Sequence, residues 1–124
     1  MDPIPHEEIQ KIIDAERERS RRGRARIEKR LSDARTEAGR LAHRLAEADP
    51  AVRRVILFGS VATGRVRSER FDIDLAVEGG DHLQLLRRAE ESAFSVDLVD
   101  LDDVSEGFRR MVEERGVCLY DARG

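Results

Sequence analysis

The feature that most constrains the fold is a change of pattern at Pro50, where a long helical pattern gives way to short apolar segments. These segments are rich in β-branched residues and are predicted to be strands, the last more weakly than the others: Val52–Phe58, Phe71–Val77, Ser95–Leu101 and Val117–Tyr120. Residues 81–92 and 102–115 lie between them and have apolar residues at helical spacing. The alternation predicts an α/β or α+β domain, with helices packed on a small mixed β-sheet of about four strands.

Residues 5–49 are predicted to be helical throughout, which divides the chain into an N-terminal helical extension, 1–49, and a domain, 50–124. Apolar residues recur at spacings of four and three from Ile27 to Ala48 and predict one buried face. Eight basic and two acidic side chains occupy Arg17–Arg30, too many charges for a core-facing stripe. Residues 6–29 therefore either extend as a solvated arm or pack on a second copy, as a homodimer, or on a partner chain.

Composition excludes several classes of protein. The chain of 124 residues has four Phe, one Tyr and no Trp, too few rings for a platform that stacks single-stranded nucleic acid. Its net charge of −3 provides no overall attraction to nucleic acid or to an anionic membrane. No apolar segment approaches the roughly 18 residues of a membrane span. We expect a cytoplasmic protein without a membrane partner and without direct nucleic-acid binding.

The single cysteine, Cys118, cannot form an internal disulfide and suits a reducing compartment. Because it lies in an apolar segment, we expect it to be a small buried residue. The three histidines lie among charged residues and are not expected to bind metal: His6, His43 and His82.

Gly59-Ser60 ends the first predicted strand and is expected to begin a short helix or turn. Such a place presents free backbone N–H groups that favour phosphate oxygens. In the next strand, Asp72 and Asp74 are two residues apart and therefore point to one face. Burying carboxylates in a strand is costly unless they are paired or bind a metal. The alternative is that they cap turns or form ion pairs with nearby arginines.

A third carboxylate, Asp97, lies in the next predicted strand. If that strand pairs beside Phe71–Val77, Asp97 joins the other two aspartates, whereas Asp100 projects to the opposite face. Oxygen ligands of this kind suit Mg²⁺, and three carboxylates can hold two metal ions. Asp102 and Asp103 are interpreted as helix caps.

The ordered set resembles the polymerase-β-type nucleotidyltransferase superfamily, and in particular its minimal nucleotidyltransferase (MNT) domains. The set of residues that carries this resemblance consists of Gly59-Ser60, eleven intervening residues, Asp72-Ile73-Asp74 and an aspartate on a following strand. The resemblance covers about residues 53–120, from the apolar "LFGS" segment to the closing "GVCLY". The residues by themselves predict a metal site beside a phosphate site, and the resemblance adds the family.

The resemblance implies roles for these residues. Gly59 and Ser60 would hold a nucleoside triphosphate such as ATP, and Asp72, Asp74 and Asp97 would bind Mg²⁺ and catalyse transfer of the nucleoside monophosphate to a hydroxyl group. Many minimal members are antitoxins of HEPN toxins, and some transfer AMP to a toxin tyrosine. The Arg-x₄₋₆-His pattern of HEPN ribonucleases is absent here, so the chain resembles the antitoxin.

Two residues depart from the family pattern. Thr63 replaces an arginine that often follows the Gly-Ser pair, and Phe71 replaces a serine before the first aspartate. Neither change removes a metal ligand, but both concern contacts to the triphosphate. Arg65, with Arg67 and Arg70, could supply that contact, or could lie in a solvated loop.

Three classes of function remain open at this level. The first is an enzyme that transfers a nucleoside monophosphate, such as AMP from ATP, to a hydroxyl on a partner protein such as a HEPN-type toxin. The second is a non-catalytic antitoxin that neutralises its partner by forming a complex. The intact carboxylates favour the first, since a binding module has no need of a costly like-charge cluster. A transferase for a small molecule, of the aminoglycoside type, is a weaker third class.

Overall fold

The structure is a computed structural model and describes residues 4–124. Its elements follow in chain order: α1 (His6–Ala48), β1 (Arg54–Phe58), α2 (Gly59–Thr63), β2 (Ile73–Glu78), α3 (His82–Ala89), β3 (Val96–Asp100), a 3₁₀ turn (Leu101–Asp103), α4 (Glu106–Arg115) and β4 (Val117–Asp121). The predicted α+β fold with its long N-terminal helix is confirmed.

The four strands form one mixed sheet in the order β3-β2-β1-β4. β1 is antiparallel to both of its neighbours, β2 and β4, whereas β2 and β3 are parallel. A parallel pair needs a crossover connection, and α3 provides it. The topology therefore places the first residues of β2 beside those of β3, with Ile73 opposite Val96.

The main core lies between one face of the sheet and the second half of α1. Its α1 side consists of residues spaced by four, three and one along the helix: Ala34, Ala38, Leu41, Ala42 and Leu45. They pack with Val55 and Leu57 of β1, with Leu75 of β2 and with Leu85 of α3. The opposite face of the sheet carries Ile56 and Ala76, which pack with Leu101 and with Val112 of α4.

The first half of α1 extends away from this core. Burial begins at Ala34, Ile27 and Leu31 are half-buried, and most residues before Ile27 are exposed. We call residues 6–30 the arm. At 1.5 Å per residue the arm is about 37 Å long. The apolar stripe accounts for the packed half of α1 but leaves the arm without tertiary contacts along most of its length.

A charged network closes the end of the sheet opposite to the start of β2. Glu78 is almost fully buried and accepts hydrogen bonds from Arg54, at 3.0 and 2.9 Å, and from Arg109 of α4. The hydrogen bonds from Arg54 and then from Arg109 lower the pKa of Glu78 to about 2. The network therefore ties β1, β2 and α4 together through one ionised carboxylate.

Two local expectations were wrong. Cys118 is exposed, because β4 is an edge strand and its first residues lie outside both cores. Neither Asp102 nor Asp103 caps α4, since Ser105 accepts the hydrogen bond from the Phe108 N–H. Asp102 instead accepts a hydrogen bond from the Gly79 N–H at 2.8 Å. Across residues 4–124, no helix is long and apolar enough to cross a membrane.

Candidate active site

The site begins where β1 ends. Gly59 follows Phe58 with φ of +73°, a conformation that residues other than glycine rarely adopt. A Cβ at this position would collide with Oδ2 of Asp74. The strand register explains the closeness, since Phe58 pairs with Asp74 across β1 and β2. Gly59 therefore both turns the chain and makes room for the Asp74 carboxylate.

The short helix α2 starts at this turn. It ends at Gly64, whose backbone N–H donates to the Ser60 carbonyl at 2.8 Å with φ of +79°. Arg35 of α1 donates to the Val61 carbonyl at 3.0 Å and so holds α2 against the long helix. The sequence pattern assigns Arg35 no role, because a partner 26 residues away leaves no signal in a local pattern.

The three aspartates come from neighbouring strand ends. Asp74 of β2 pairs in register with Asp97 of β3, and Asp72 lies just before β2. Asp74 is half-buried, whereas Asp72 and Asp97 are exposed. The alternation of a strand places Asp72 and Asp74 on one face, and the parallel pairing brings Asp97 alongside. Asp72, Asp74 and Asp97 all line the same cleft.

The electrostatics of this group are unfavourable without a cation. Burial, followed by the charges of Asp97 and Asp72 and a hydrogen bond with Asp97, raises the pKa of Asp74 to about 6. Within residues 4–124, none of the three aspartates forms a salt bridge. The alternative that they form ion pairs with nearby arginines therefore has no support in the described part of the chain.

The donor set fits a hard divalent cation, since carboxylate oxygens are the ligands that Mg²⁺ prefers. The three carboxylates do not surround one point as a complete set of metal ligands would. No group of three His, Cys, Asp or Glu side chains in the described chain already has the spacing of a metal cluster. Mg²⁺ usually takes only one or two carboxylates and completes its shell with water and substrate phosphate, so an open pair at Asp74 and Asp97 with Asp72 nearby suits it.

An arginine-bearing loop forms the other wall of the cleft. The cleft has a volume of about 470 Å³, and its polar lining comes from α2, the loop after it and the strand ends: Ser60, Arg65, Arg67, Ser68, Arg70, Asp72, Asp74 and Asp97. Arg65, Arg67 and Arg70 are exposed, and none of them forms a salt bridge within residues 4–124. One wall is therefore anionic and the other cationic, which suits a metal-bound polyphosphate.

The structure brings five of the six predicted site residues into this cleft: Ser60, Arg65, Asp72, Asp74 and Asp97. The sixth, Gly59, lies behind Asp74 and does not line the cleft. Arg67 and Arg70 line the cleft alongside Arg65. The close spacing of these arginines in the sequence indicates a basic loop. It does not show whether their side chains line the cleft or point into solvent.

Known structures contain chains that are similar to this one. A crystal structure of a toxin-antitoxin with AMP-PNP contains a similar chain, at 29% identity over 64% of this chain and 70% of that one, with a TM-score of 0.53. An MNT antitoxin in complex with a tri-AMPylated Shewanella oneidensis HEPN toxin is the subject of another structure. That structure matches at 24% identity over 75% and 74% of the chains, with a TM-score of 0.50. At this level of identity, the similarity to the MNT antitoxin shows a shared fold only.

A candidate nucleotidyltransferase from Sulfolobus solfataricus has the same fold, at 19% identity over 79% of this chain and 89% of that one, with a TM-score of 0.57. None of the curated proteins matches this chain significantly. The family model for polymerase β-type nucleotidyltransferases matches residues 41–123, which include every element of the cleft. The chain thus belongs to the polymerase β nucleotidyltransferase family.

Proposed function

We propose that this protein transfers AMP from ATP to a hydroxyl group on a partner protein, a HEPN-type toxin, with Mg²⁺ as its cofactor. The observation that carries the proposal is a cleft lined by both acidic and basic side chains. Asp74 and Asp97 lie side by side without a basic partner within residues 4–124, and three exposed arginines of the loop after α2 line the same cleft. A carboxylate pair and a cationic loop are the two complements of a magnesium–triphosphate substrate.

Each wall has its own task in this reaction. The Ser60 hydroxyl would donate to a phosphate oxygen, and Arg65, with Arg67 and Arg70, would neutralise the triphosphate. Asp72, Asp74 and Asp97 would hold Mg²⁺, which supplies charge stabilisation at the reacting phosphate. Asp97, which is exposed to an incoming acceptor, would take the proton of the acceptor hydroxyl. The acceptor oxygen then bonds to the α-phosphorus, the bond to the β-phosphate oxygen breaks, and pyrophosphate leaves.

The acceptor is proposed from the nature of one neighbour and from the resemblance in sequence. One similar structure is a toxin-antitoxin with AMP-PNP, and the sequence resembles the antitoxins of HEPN toxins. The cleft is open, so a partner protein could present its hydroxyl group there. A partner protein is therefore the acceptor that we propose.

Intact-mass spectrometry tests the proposal directly. The protein is incubated with Mg²⁺, each of the four nucleoside triphosphates in turn, and a HEPN-type protein encoded beside its gene. We expect the partner to gain whole units of AMP with ATP, to gain none after chelation, and to gain none with the Asp74→Asn variant. Asp103→Asn changes an exposed aspartate outside the cleft and is the matched control, which should act like the unmodified protein.

The second candidate is an antitoxin that acts by binding alone. One feature favours it: Thr63 stands where the family often has an arginine, so one possible contact to the triphosphate is missing. In the same experiment, this candidate predicts inhibition of the partner's activity without any mass change. It also predicts that Asp74→Asn inhibits the partner as well as the unmodified protein does.

A further inference from the structure

The arm carries an apolar face that the described structure leaves uncovered. Ile9, Ile12 and Ile13 are 41%, 60% and 38% exposed, and with Ile4 they account for most of the large exposed apolar side chains of the described chain. A shallow depression runs along this face from Ile12 to Arg24, and all of its lining residues belong to α1. Since most helical stability comes from packing, an arm of this length needs a surface to pack against.

The charges of the arm are divided between its two halves. Residues 6–18 contain five acidic and two basic side chains, whereas residues 19–30 contain seven basic and one acidic. Two such arms in parallel would set like charges beside each other. In antiparallel orientation, the acidic half of each arm would lie along the basic half of the other. The arm is therefore electrostatically complementary to a second copy of itself, in one orientation.

The apolar positions have the same symmetry about the middle of the arm. Ile9 and Ile27 each lie nine residues from Glu18, and Ile13 and Gly23 each lie five residues from it. At about 100° per residue these four positions fall on one helix face. An antiparallel pair centred at Glu18 would thus place Ile9 against Ile27 of the second copy, and Ile13 against Gly23.

The space beside Gly23 can accept such a side chain. A Cβ built on Gly23 meets only the Arg26 guanidinium, at 3.9 Å, so no large group occupies the position. Glu16 and Ser20 lie on the same face between the apolar layers and would face each other near the two-fold axis. A polar layer at the centre of an apolar seam is a known device for selecting one register and one orientation.

We propose that the protein forms a two-fold symmetric dimer through antiparallel pairing of its arms, centred near Glu18. The seam is Ile9 and Ile13 of each copy against Ile27 and Gly23 of the other, with the acidic and basic halves alongside. The overlap from residue 9 to residue 27 is about 27 Å long. This interface does not use the cleft, and the proposal is independent of the reaction.

Sedimentation equilibrium of the full chain tests the dimer. We expect a reversible monomer–dimer equilibrium whose association weakens at least about tenfold when salt rises from about 0.05 to 0.5 M, since screening weakens the paired charges. The double variant Ile9→Ser/Ile13→Ser should dissociate at all concentrations. Leu83→Ser, which removes an even more exposed apolar side chain (58%) from α3, is the matched control and should leave the equilibrium unchanged.

Cysteine crosslinking tests the orientation. In a Cys118→Ser background, a mixture of Ile9→Cys and Ile27→Cys variants should form a disulfide-linked heterodimer, because the proposed seam sets these two positions directly against each other, while each variant alone should remain uncrosslinked. Crosslinking of Ile9→Cys with itself would indicate parallel arms and overturn the proposal. A full chain that stays monomeric would also overturn it. If the full chain were monomeric and the isoleucine variant lost binding to a HEPN-type protein, the arm would be a surface for that partner instead.

Discussion

Asp74 on β2 and Asp97 on β3 are register partners in the parallel pair of the sheet, and no basic side chain of residues 4–124 forms a salt bridge with either. The fold thus holds two like charges side by side at the mouth of a cleft. In the apo protein this arrangement costs stability, because one carboxylate must ionise beside another. Experiments can separate the loss of stability that these two charges cause from their proposed role in binding Mg²⁺.

Neutralising Asp74 should stabilise the apo protein while it abolishes transfer. The folded-state pKa of Asp74 is raised to about 6 from the ordinary 3.8, so its ionisation opposes folding increasingly as the pH rises through this range and fully above it. Asp74→Asn should therefore raise the free energy of unfolding by about 1 kcal/mol at pH 7.5, a value reduced for the partial exposure of the group. Below about pH 3 the carboxyl is protonated in both states, and the difference should vanish.

Thermal melts of Asp74→Asn at several pH values, beside the transfer assay, measure both effects. Asp103→Asn again provides the control, since its carboxylate lies outside the cleft. An Asp74→Asn variant that was less stable than the original protein at pH 7.5 would contradict the account of like-charge repulsion.

Gly59→Ala should be destabilising and should disturb the site. The residue combines a φ of +73° with a collision between the new Cβ and the Asp74 carboxylate. We expect a loss of about 1–3 kcal/mol in the free energy of unfolding, measured by urea denaturation. Gly107→Ala is the matched control, because that glycine lies in α4 with nothing within 4 Å of an added Cβ. The control should be neutral or stabilising by up to about 1 kcal/mol.

Glu78 should make the protein sensitive to acid. Its pKa is lowered from 4.5 to about 2 in the folded state by Arg54 and Arg109. The stabilisation is therefore complete above about pH 5 and is lost progressively as the pH falls toward about 2. Glu78→Gln should cost about 2–4 kcal/mol at pH 7, because it leaves two arginines without their buried partner.

Urea denaturation between about pH 2.5 and pH 7 measures the free energy of unfolding of the original protein and of Glu78→Gln. The difference between these two free energies is the contribution of Glu78, and it should shrink as the pH falls. Glu90→Gln changes an exposed glutamate at the end of α3 and should leave the pH profile as it is. If this difference in the free energy of unfolding stayed constant across the range, the loss of stability in Glu78→Gln would come from packing and not from charge.

The arginine loop should act on nucleotide binding and not on folding. Arg65→Ala, Arg67→Ala and Arg70→Ala remove exposed side chains from the cleft wall. Each should raise the KM for ATP by about 3- to 10-fold through loss of a charge-assisted phosphate contact, with an unchanged melting temperature. Arg87→Ala, which changes an exposed arginine on α3, is the control. If the three loop variants matched this control in KM, the loop would be a solvated connection.

Local patterns in the sequence were sufficient for the elements and for part of the site. Apolar β-branched segments predicted all four strands to within two residues at each end, because side-chain alternation and turn residues act over a few positions. The two-residue spacing of Asp72 and Asp74 predicted that both side chains point to one face for the same reason, and both line the cleft, although Asp72 lies just before β2. The stripe from Ile27 to Ala48 predicted the buried face of α1, with Ala34, Ala38, Leu41 and Leu45 at its centre.

Tertiary structure alone decided the rest, because the partners are far apart in the chain. The register of two parallel strands brings Asp97 beside Asp74, and the β1–β2 pairing sets Gly59 against the same carboxylate. Neither contact leaves a periodic signal. The position of β4 at the sheet edge exposes Cys118, although its segment is apolar. Composition and local spacing determine which side chains a strand presents, whereas the order of strands determines what those side chains meet.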